Sequence, residues 1–513
     1  MTFVMHTNML TYILALGFLG LWFLFAHHRK WNIVFGISFF ICLLLNFAAI
    51  IGMAIGPMKF FYFSKNLLLI GIFGFFFNFF RNNKIALVIS ILISLWISLK
   101  IFSIDLPGKW VPEKIRTLSE NGELLIIPAD LASLSALRKA IRPYKGELTP
   151  AFHPQKKGTA LDSFYIIDLP EKWENQQERI LKELRQSDLI AYGEFNDIIQ
   201  VHPEITEPFR PNQIIPLTND PLVKDQWAFR TLGYDRLYKT MIDHQDQILK
   251  KIKVAVLDTG IEGNHEDLEQ HLDPQYHTVS DPVGHGTHCA GIIAAETNNR
   301  KGVASMAFYP HMIELVPVKV LNSSGMGSQV RVINGMIRAV DEGADVLSMS
   351  LGAPSDHPRQ KAYAAAVEYA LDHNAVVVVS AGNSSSRASN FSPANVPGVI
   401  CVTATDPDNL PATFSNYLDS EISYGIAAPG VRILSTFRNG EYKTLSGTSM
   451  AAPFVSATAA LLKAFDPEIS TAEIYELLHK TALSLEKEEK SGRLLQPEAA
   501  LQKLMSEKVG TDH

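Results

Sequence analysis

The first 104 residues constrain this chain most, because they contain no aspartate or glutamate and carry four long apolar runs. The runs cover residues 9–26, 33–55, 60–80 and 85–104. Each approaches or exceeds the roughly 18 to 20 residues that a helix needs to cross a bilayer. Buried helices of a soluble protein are the alternative, but four consecutive runs without one acidic residue favour a four-helix transmembrane region at 1–104. Residues 1–8 carry no positive charge, which disfavours a cleavable signal peptide.

Basic residues between the runs predict how this region is oriented. Arg29 and Lys30 lie between the first two runs, and Arg81 and Lys84 lie between the last two. Cytoplasmic loops are enriched in such residues, so both loops are expected on the cytoplasmic side. We therefore predict a multi-pass integral membrane protein in contact with the lipid bilayer, with everything after residue 104 on the extracytoplasmic side.

The rest of the chain has a different composition. After residue 104 it holds 39 basic and 52 acidic residues, a formal charge of −13, compared with −6 for the whole chain. Such an acidic segment excludes nucleic acid as a partner, because nucleic-acid-binding surfaces are basic. The three cysteines, Cys42, Cys289 and Cys401, give no obvious disulfide framework.

Residues 105–202 show the pattern of a small α+β domain. Strands are predicted at 123–127, 148–153, 163–169 and 191–201, and helices at 132–141 and 174–189. This β-α-β-β-α-β order is the ferredoxin-like pattern. Residues 203–218, which are rich in proline, are predicted to link this domain to the last one, 219–513.

The last domain alternates apolar strands with helical stretches. Strands are predicted at 253–257, 314–321, 345–350, 375–380 and 399–404, and helices at 289–296, 328–342, 360–372, 449–463 and 471–481. Alternation of this kind predicts an α/β fold, a parallel sheet with helices on both faces.

Three motifs in this domain carry catalytic residue types. Asp258 ends a buried strand and begins Asp-Thr-Gly, His285 lies in Gly-His-Gly-Thr-His, and Ser449 lies in Gly-Thr-Ser-Met-Ala-Ala-Pro. An acid, a base and a serine in that order form a recurring triad. Alone, each motif has another interpretation. Asp-Thr-Gly is also the aspartic-protease signature, which requires two copies, and serine is a preferred helix N-cap. His288 could join His285 in a metal site, but zinc needs three or four ligands.

Together these motifs resemble the subtilisin-like serine proteases (subtilases) over roughly residues 220–501. The resemblance implies that Asp258 orients the imidazole, His285 is the general base and acid, and Ser449 is the nucleophile. Asn383, which follows the strand 375–379, resembles the side-chain donor of the family's oxyanion hole. The implied activity is hydrolysis of peptide bonds in proteins and peptides through an acyl-enzyme, with no cofactor needed for the chemistry.

The resemblance also implies a substrate cleft. An extended peptide would lie as an added strand between two edges of the enzyme. The alternative is that the two segments expected to form these edges, 346–352 and 325–327, are only a core strand and a glycine loop. The residues expected to bind substrate are Ser350, Leu351, Gly352, Gly325, Gly327 and Gly382.

The ferredoxin-like domain at 105–202 resembles the inhibitory, fold-assisting propeptide of subtilases in length and position. Self-cleavage is then expected in the linker 203–218, and residues 219–221 resemble a mature N-terminus. An ordinary spacer domain is the alternative interpretation. A rival function for the whole chain is a catalytically silent membrane receptor or scaffold whose protease-like domain only binds peptides.

Two further features follow from the resemblance. Many subtilases hold a structural calcium ion, and the matching oxygen ligands are Asp220, Asp267 and Asn299, or Asn298 in place of Asn299. The loop 297–301 carries an extra residue and two basic side chains, so it departs from the common pattern. Cys289 resembles the thiol found beneath the histidine in some subtilases, although a small buried apolar residue is the simpler interpretation.

Overall fold

The computed structural model describes residues 2–26, 29–51, 56–80, 83–104, 122–174, 176–202, 218–309, 311–355, 361–486 and 488–511. It divides into two compact units, Met1–Thr117 and Leu118–His513. The predicted linker, apart from Thr218, lies outside the described residues, as does the start of the predicted α+β domain, 105–121.

The first unit consists of four apolar helices, which match the four predicted runs: α1 Thr2–Leu24, α2 Arg29–Ile51, α3 Gly56–Phe80 and α4 Lys84–Ile104. Tyr12, Phe77 and Leu87 are buried in the core of this unit. A polar chain of hydrogen bonds joins three of the helices. Asn66 Nδ2 donates to Asn46 Oδ1 at 3.0 Å, and Asn46 Nδ2 donates to Thr11 Oγ1 at 3.1 Å.

The outer faces of these helices are apolar. Leu44, Phe75, Phe79 and Ile85 expose 68%, 66%, 71% and 75% of their surface. Among the described residues, one helix is long and apolar enough to cross a membrane. It is Thr448–Phe465, which is wholly buried in the second unit. The described apolar stretches of the first unit are shorter: Thr11–Leu24, Lys30–Asn46, Leu69–Phe80 and Lys84–Ser94.

The second unit begins with a small antiparallel domain. Its strands are β1 Leu124–Pro128, β2 Glu147–Pro150, β3 Tyr165–Asp168 and β4 Ile190–Phe195, and its helices are α5 Ser133–Ile141, α6 Glu171–Glu174 and α7 Gln177–Gln186. The strand order is β2-β3-β1-β4, with every neighbouring pair antiparallel.

The side chains of β1 alternate between two cores. Leu124 and Ile126 pack with the apolar residues of α5 and α7. Leu125 and its cross-strand neighbour Ile166 join the core of the larger domain instead. Because successive strand residues point to opposite faces, one sheet can hold its own helices on one side and the larger domain on the other.

The last predicted strand, 191–201, was wrong as a single strand. It forms β4 and a separate strand, β5 Ile198–Val201, which leaves the small sheet. Asn196 and Asp197 interrupt the strand because each accepts a hydrogen bond from a distant segment of the chain. Asn196 Oδ1 accepts the N–H of Val330, and the Asp197 carbonyl accepts the N–H of Gln329.

The larger domain is built on a six-stranded sheet in which every neighbouring pair is parallel. The strands are β6 Ile252–Asp258, β7 Ile313–Lys319, β9 Val346–Met349, β11 Val376–Ser380, β13 Ile400–Thr405 and β14 Gly425–Pro429. Their order in the sheet is β14-β13-β11-β9-β6-β7. The predicted parallel α/β sheet is confirmed. Strand β14 was missed, because Gly-Ile-Ala-Ala-Pro has a single residue of high β-propensity.

Helices cover both faces of this sheet. The alternating residues Val254 and Val256 of β6 point into one core, whereas Ala255 and Leu257 point into the other. The helices are α8 Trp227–Thr231, α9 Tyr234–Asp243, α10 His285–Ala294, α11 Gln329–Asp341, α12 Lys361–Asp372, α13 Thr448–Phe465, α14 Thr471–Thr481, α15 Glu488–Ser491 and α16 Pro497–Thr511. Helix α10 begins four residues before the predicted 289–296, so it includes the Gly-His-Gly-Thr-His motif from His285 onward.

Smaller strands complete the larger domain: β8 Met326–Ser328, β10 Leu351–Pro354, β12 Phe391–Ser392, β15 Ile433–Phe437 and β16 Glu441–Leu445. Three of them form a second sheet with β5 of the small domain, in the order β12-β10-β5-β8. The small domain thus contributes one strand to the larger domain.

Candidate active site

The acid and the base meet at the carboxyl edge of the parallel sheet. Asp258 is the last residue of β6, and His285 is the first residue of α10. His285 Nδ1 lies 2.8 and 2.9 Å from the two carboxylate oxygens of Asp258, and both side chains are at most 1% exposed. A carboxylate only accepts hydrogen bonds, so Nδ1 carries the proton and Nε2 is the basic nitrogen. Nε2 has no hydrogen-bond partner within the described residues.

The carboxylate also sets the basicity of the histidine. Burial lowers the pKa of His285, but the Asp258 charge at hydrogen-bond distance outweighs burial and raises the pKa above its ordinary value. Cys289 lies close by, with Sγ 4.0 Å from His285 Nδ1 and 3.5 Å from the Ser449 carbonyl. Burial raises the pKa of Cys289, so the thiol stays protonated and contributes no charge.

Asp258, His285 and Cys289 also place three metal-type ligand atoms within 4.8 Å of one another. The mutual hydrogen bonds of Asp258 and His285 and the protonated thiol favour acid–base chemistry over metal binding. His288 lies one turn along α10, where its Nε2 donates to the carbonyls of Ile433 and Lys443 at 3.1 and 2.8 Å.

Asp281 holds these segments together, and sequence reasoning missed it. Its Oδ1 accepts from Thr259 Oγ1 at 2.7 Å and from Gly284 N at 2.8 Å, and its Oδ2 accepts from Thr287 N at 2.9 Å. One buried carboxylate therefore joins the residue after Asp258 to the start of α10. Because the predicted helix begins only at residue 289, no capping signal in the sequence pointed to Asp281, which lies four residues before the observed start of α10.

Ser449 is the second residue of α13. Its Oγ donates to the Ser350 carbonyl at 3.2 Å, and Ser350 Oγ donates to the Ser449 carbonyl at 2.8 Å. Contact of Cys289 with both His285 and the Ser449 carbonyl places the serine beside the histidine. In this state, however, the hydroxyl of Ser449 is turned toward Ser350.

Asn383 follows β11 and is fixed against the start of α13. Its Oδ1 accepts from the backbone N–H and the hydroxyl of Thr448, both at 2.9 Å. These bonds orient the amide. A side chain at Gly447 would lie 2.9 Å from Asn383 Nδ2, so the glycine leaves room for this nitrogen immediately ahead of Ser449.

Gly382 adopts a backbone conformation that side chains disfavour, with φ +104°. Its N–H donates to Thr448 Oγ1 at 3.0 Å, so it fixes the Asn383 loop against α13. A Cβ at this position would lie 2.4 Å from Asn416 Nδ2.

The two predicted edges of the substrate cleft flank strand β5 of the same chain. On one side, Leu351 and Gly352 of β10 pair antiparallel with Val201 and Gln200. On the other side, Gly327 of β8 pairs antiparallel with Ile199. The Val201 N–H also donates to the Gly325 carbonyl at 3.0 Å. Sequence reasoning did not assign β5 to this cleft.

The predicted calcium ligands also lie together. Asp220 accepts the N–H groups of Asn298 and Asn299 at 2.9 and 3.1 Å. Asp267 accepts from Asn299 Nδ2 at 2.7 Å and from Val303 N at 2.9 Å. Burial, with the nearby charge of Asp220 adding to it, raises the pKa of Asp267 to about 6. The carboxylate oxygens are thus already bonded to donors of the same loop.

Comparison with known proteins shows close sequence relatives. Thermitase from Thermoactinomyces vulgaris is 40% identical over 216 residues, 41% of this chain and 74% of that protein. Subtilisin DY from Bacillus licheniformis is 39% identical over 243 residues, 46% of this chain and 84% of that protein. An alkaline protease from Alkalihalobacillus alcalophilus is 34% identical over 324 residues, 61% of this chain and 81% of that protein.

A solved structure and a family model agree with these relatives. Fervidolysin from Fervidobacterium pennivorans, described as a keratinolytic enzyme related to subtilisin, matches with a TM-score of 0.59 and 26% identity, covering 74% of this chain and 61% of that chain. The model of the subtilase family matches residues 249–507. The chain therefore belongs to the subtilase family of serine endopeptidases.

Proposed function

We propose that this serine endopeptidase is anchored in a membrane and is made as an inhibited precursor, with residues 105–202 as its propeptide. One observation carries the proposal of inhibition: strand β5 of the small domain lies between β8 and β10, where a substrate would lie. The catalytic reading is preferred over a silent peptide-binding receptor, because the chain keeps the acid, base, serine and amide donor together.

The geometry supports the following mechanism. Ser449 Oγ turns from the Ser350 carbonyl to His285, and Nε2 takes its proton as Oγ attacks the carbonyl carbon of the substrate. Asp258 holds the imidazolium through Nδ1. Asn383 Nδ2 and the N–H groups at the start of α13 stabilise the oxyanion. His285 then gives its proton to the leaving amine, and water releases the acyl group by the reverse steps. The chemistry needs no cofactor.

The cleft segment, residues 198–202, blocks this mechanism in the precursor. Strand β5 pairs with β10 on one side and with β8 on the other, so it occupies the backbone groups of these two strands that would bind a substrate. His202, which follows β5, is only 6% exposed, and its charge would interact with that of His285. A substrate cannot enter until this segment leaves.

A buried carboxylate holds the small domain on the enzyme. Glu194 is 1% exposed. It accepts from Gln329 Nε2 at 3.0 Å and from Lys361 N at 3.1 Å, the first residues of α11 and α12. A negative charge at two helix N-termini is stabilised by both helix dipoles. Burial nevertheless raises the pKa of Glu194.

The comparisons extend beyond the catalytic domain. The 61% of this chain aligned with the alkaline protease and the 74% matched by fervidolysin both exceed the share contributed by residues 219–513. The match to fervidolysin is too long to lie within the linker and the catalytic domain alone, so it includes residues before the linker, which supports the proposal of a propeptide there.

The start of the catalytic domain is held in place by hydrogen bonds that do not involve the linker. Asn219 N donates to Asn298 Oδ1 at 3.3 Å, and Asn219 Oδ1 accepts from Arg300 N at 2.7 Å. The Leu222 N–H donates to the Gly302 carbonyl. Cleavage within 203–218 would leave the propeptide bound to the catalytic domain by noncovalent contacts alone. Any attachment of the catalytic domain to the membrane would then depend on the same contacts.

The composition of the first unit supports the membrane anchor. Its four helices carry no acidic residue, expose large apolar side chains, and bond their buried asparagines to one another. Such an inside-out pattern suits hydrocarbon as the surrounding solvent. The basic loops favour placement of the protease outside the cytoplasm.

Structural calcium stays a prediction. In the described conformation, donors of the protein satisfy Asp220 and Asp267, and Asn299 turns its nitrogen toward Asp267. A calcium ion would require Asn299 to present Oδ1 instead, because the ion takes only oxygen ligands.

Replacement of Asn383 by alanine tests the oxyanion assignment. We expect Asn383→Ala to lower kcat by about two to three orders of magnitude, since one such donor contributes about 2.7 to 4 kcal/mol to the transition state. KM should change little. Steady-state kinetics on a peptide amide measure both. Unchanged kcat would exclude Asn383 from the mechanism.

The Asp258→Asn variant tests how the base is tuned. His285 must be neutral to act, so activity falls as the pH drops below its pKa. With Asp258 present this acid limb should lie above the ordinary histidine value of about 6.5. Without the carboxylate, burial alone remains, so the limb should move to lower pH and kcat should fall about 10⁴-fold. A pH profile of kcat/KM from about pH 5 to about pH 10 shows both effects, and an unmoved limb would contradict the assignment.

Expression of the full chain in membranes tests the precursor and the anchor. The wild type should react with a fluorophosphonate at Ser449 and release a shortened catalytic fragment, whereas Ser449→Ala should do neither. Carbonate extraction of unprocessed Ser449→Ala should leave the chain in the membrane pellet. A wild type that never shortens would refute self-processing, and a chain that carbonate releases would refute the anchor.

Removal of the Glu194 charge tests inhibition by the small domain. Glu194→Gln should accelerate fluorophosphonate labelling of Ser449 by about tenfold or more, because hydrogen bonds to a buried charged group stabilise by about 1.5 to 3 kcal/mol. Glu178→Gln, an exposed carboxylate in the first turn of α7, is the matched control. Equal labelling rates in both variants would show that Glu194 does not hold the domain in place.

A further inference from the structure

Asp281 is a buried carboxylate of the site to which the mechanism assigns no step. It is 4% exposed. Its Oδ1 accepts from the hydroxyl of Thr259 and from the N–H groups of Val283 and Gly284 at 2.7, 3.1 and 2.8 Å. Its Oδ2 accepts from the N–H and the hydroxyl of Thr287 at 2.9 and 2.8 Å. All of these donors are neutral, so they bind the negative charge without cancelling it.

A short chain of hydrogen bonds through Thr259 connects Asp281 with both the acid and the base. The backbone N–H of Thr259 donates to Asp258 Oδ1 at 2.7 Å. The hydroxyl of Thr259 accepts from the N–H of Gly286, the residue after His285, at 3.1 Å and donates to Asp281. Asp281 is therefore linked through one residue to the carboxylate of Asp258 and to the backbone beside His285.

The backbone segments that these bonds join lie in close contact. A Cβ at Gly286 would lie 2.1 Å from the Gly260 carbonyl oxygen and 3.0 Å from Asp258 Cβ. A Cβ at Gly260 would lie 2.6 Å from the carbonyl oxygen of Ser280, the residue before Asp281. The start of α10, the turn after β6 and the loop at Asp281 are therefore packed backbone against backbone. At such short range, the hydrogen bonds between them set the distance from the acid to the base.

The charge of Asp281 lies at the end of α10 where His285 becomes positive during the reaction. Gly284, whose N–H bonds Asp281, is the N-cap of α10, and Thr287 is its third residue. The N-terminal end of a helix dipole is positive, so it disfavours a cation there, and a carboxylate at that end offsets the effect. His285 is the first residue of α10. Its imidazolium therefore forms more easily beside a charged Asp281.

The other titratable groups around the imidazole leave a clear role for this charge. Against the opposing effect of burial, the charge of Asp258 raises the pKa of His285. Burial shifts the pKa of further groups near the imidazole so that each stays neutral: Cys289, His202 and His288. Within the described residues, the imidazolium is thus stabilised by Asp258 in direct contact and by Asp281 at the helix end.

We propose that Asp281 is a positioning residue of the catalytic pair. Through Thr259 it holds Asp258 and the start of α10 at hydrogen-bond distance, and its charge stabilises the imidazolium that His285 forms in the transition state. Asp281 touches neither the substrate nor a reacting atom. This inference rests on the roles proposed above for Asp258 and His285, and it is independent of the propeptide and of the membrane anchor.

The Asp281→Asn variant of the full chain tests the charge. Its side chain keeps the shape of aspartate but carries no charge. We expect kcat on a peptide amide to fall about tenfold with KM unchanged, because the imidazolium loses a stabilising charge while the substrate-binding groups are untouched. Loss of a negative charge lowers the pKa of the histidine, so the acid limb of kcat/KM should move about one pH unit lower. Rates are expressed per Ser449 labelled by a fluorophosphonate, so incomplete processing of a variant does not affect them.

The matched control is Asp273→Asn. Asp273 lies in the same connection between β6 and α10, where it caps a short turn by accepting from Gln275 N at 3.0 Å. The control removes the same charge from the same connection without touching the bonds of Asp281. It should leave both kcat and the acid limb unchanged.

Two substitutions at Thr259 test the hydrogen-bond chain separately from the charge. Thr259→Val keeps the shape of the side chain but lacks the hydroxyl, so kcat should fall about tenfold while KM stays the same. The acid limb should not move, because Asp281 keeps its charge. Thr259→Ser keeps the hydroxyl and should retain kcat within about twofold. Thermal unfolding shows which variants are folded.

The outcomes separate this inference from the mechanism on which it rests. Full kcat or an unmoved acid limb in Asp281→Asn would overturn the inference, and so would equal kcat in Thr259→Val and Thr259→Ser. If Asp281→Asn does not fold, the comparison of the two Thr259 variants decides. A wild type without activity, or an Asp258→Asn variant with full activity, would instead refute the proposed mechanism.

Discussion

The hydrogen bond between Asp258 and His285 is the interaction on which the site depends, and it exists because two elements end at one edge of the parallel sheet. Strand β6 delivers the carboxylate and helix α10 begins with the imidazole. Asp281 keeps the two segments in register by bonding Thr259 on one side and the start of α10 on the other. A buried pair of this kind fixes the tautomer of the histidine and leaves Nε2 as the basic nitrogen.

The serine and its amide donor depend on a second junction, at the start of α13. Thr448 joins them, because its backbone and hydroxyl bond Asn383 while its neighbour is Ser449. In the proposed mechanism, the N-terminus of α13, a wholly buried helix, therefore brings together the nucleophile and the groups that stabilise the oxyanion. Burial also keeps water from competing for these bonds, which strengthens each of them.

The cleft lies between two strands, β8 and β10, that do not pair with each other. Strands β8 and β10 present edges that a third strand can pair with, and β5 pairs with both within the same chain. The hydroxyl of Ser449 is turned to Ser350 in this arrangement, and His285 Nε2 has no partner within the described residues. In this proposal, β5 inhibits the enzyme by binding as a substrate would, without being turned over. The same backbone groups of β8 and β10 bind both β5 and the substrate.

The sequence by itself predicted the parallel sheet and singled out Asp258, His285, Asn383 and Ser449 as candidate catalytic residues, because hydrophobic periodicity and short motifs are local properties. Strand β14 escaped it, since pairing with β13 rather than residue propensity holds that strand in place. Only the tertiary structure revealed the roles of Asp281 and Glu194, whose partners lie in other segments of the chain. Only the tertiary structure, too, split the predicted strand 191–201 at Asn196 and sent β5 into the cleft. Helix ends and strand edges far away in the sequence fixed those positions, and no local pattern encodes such contacts.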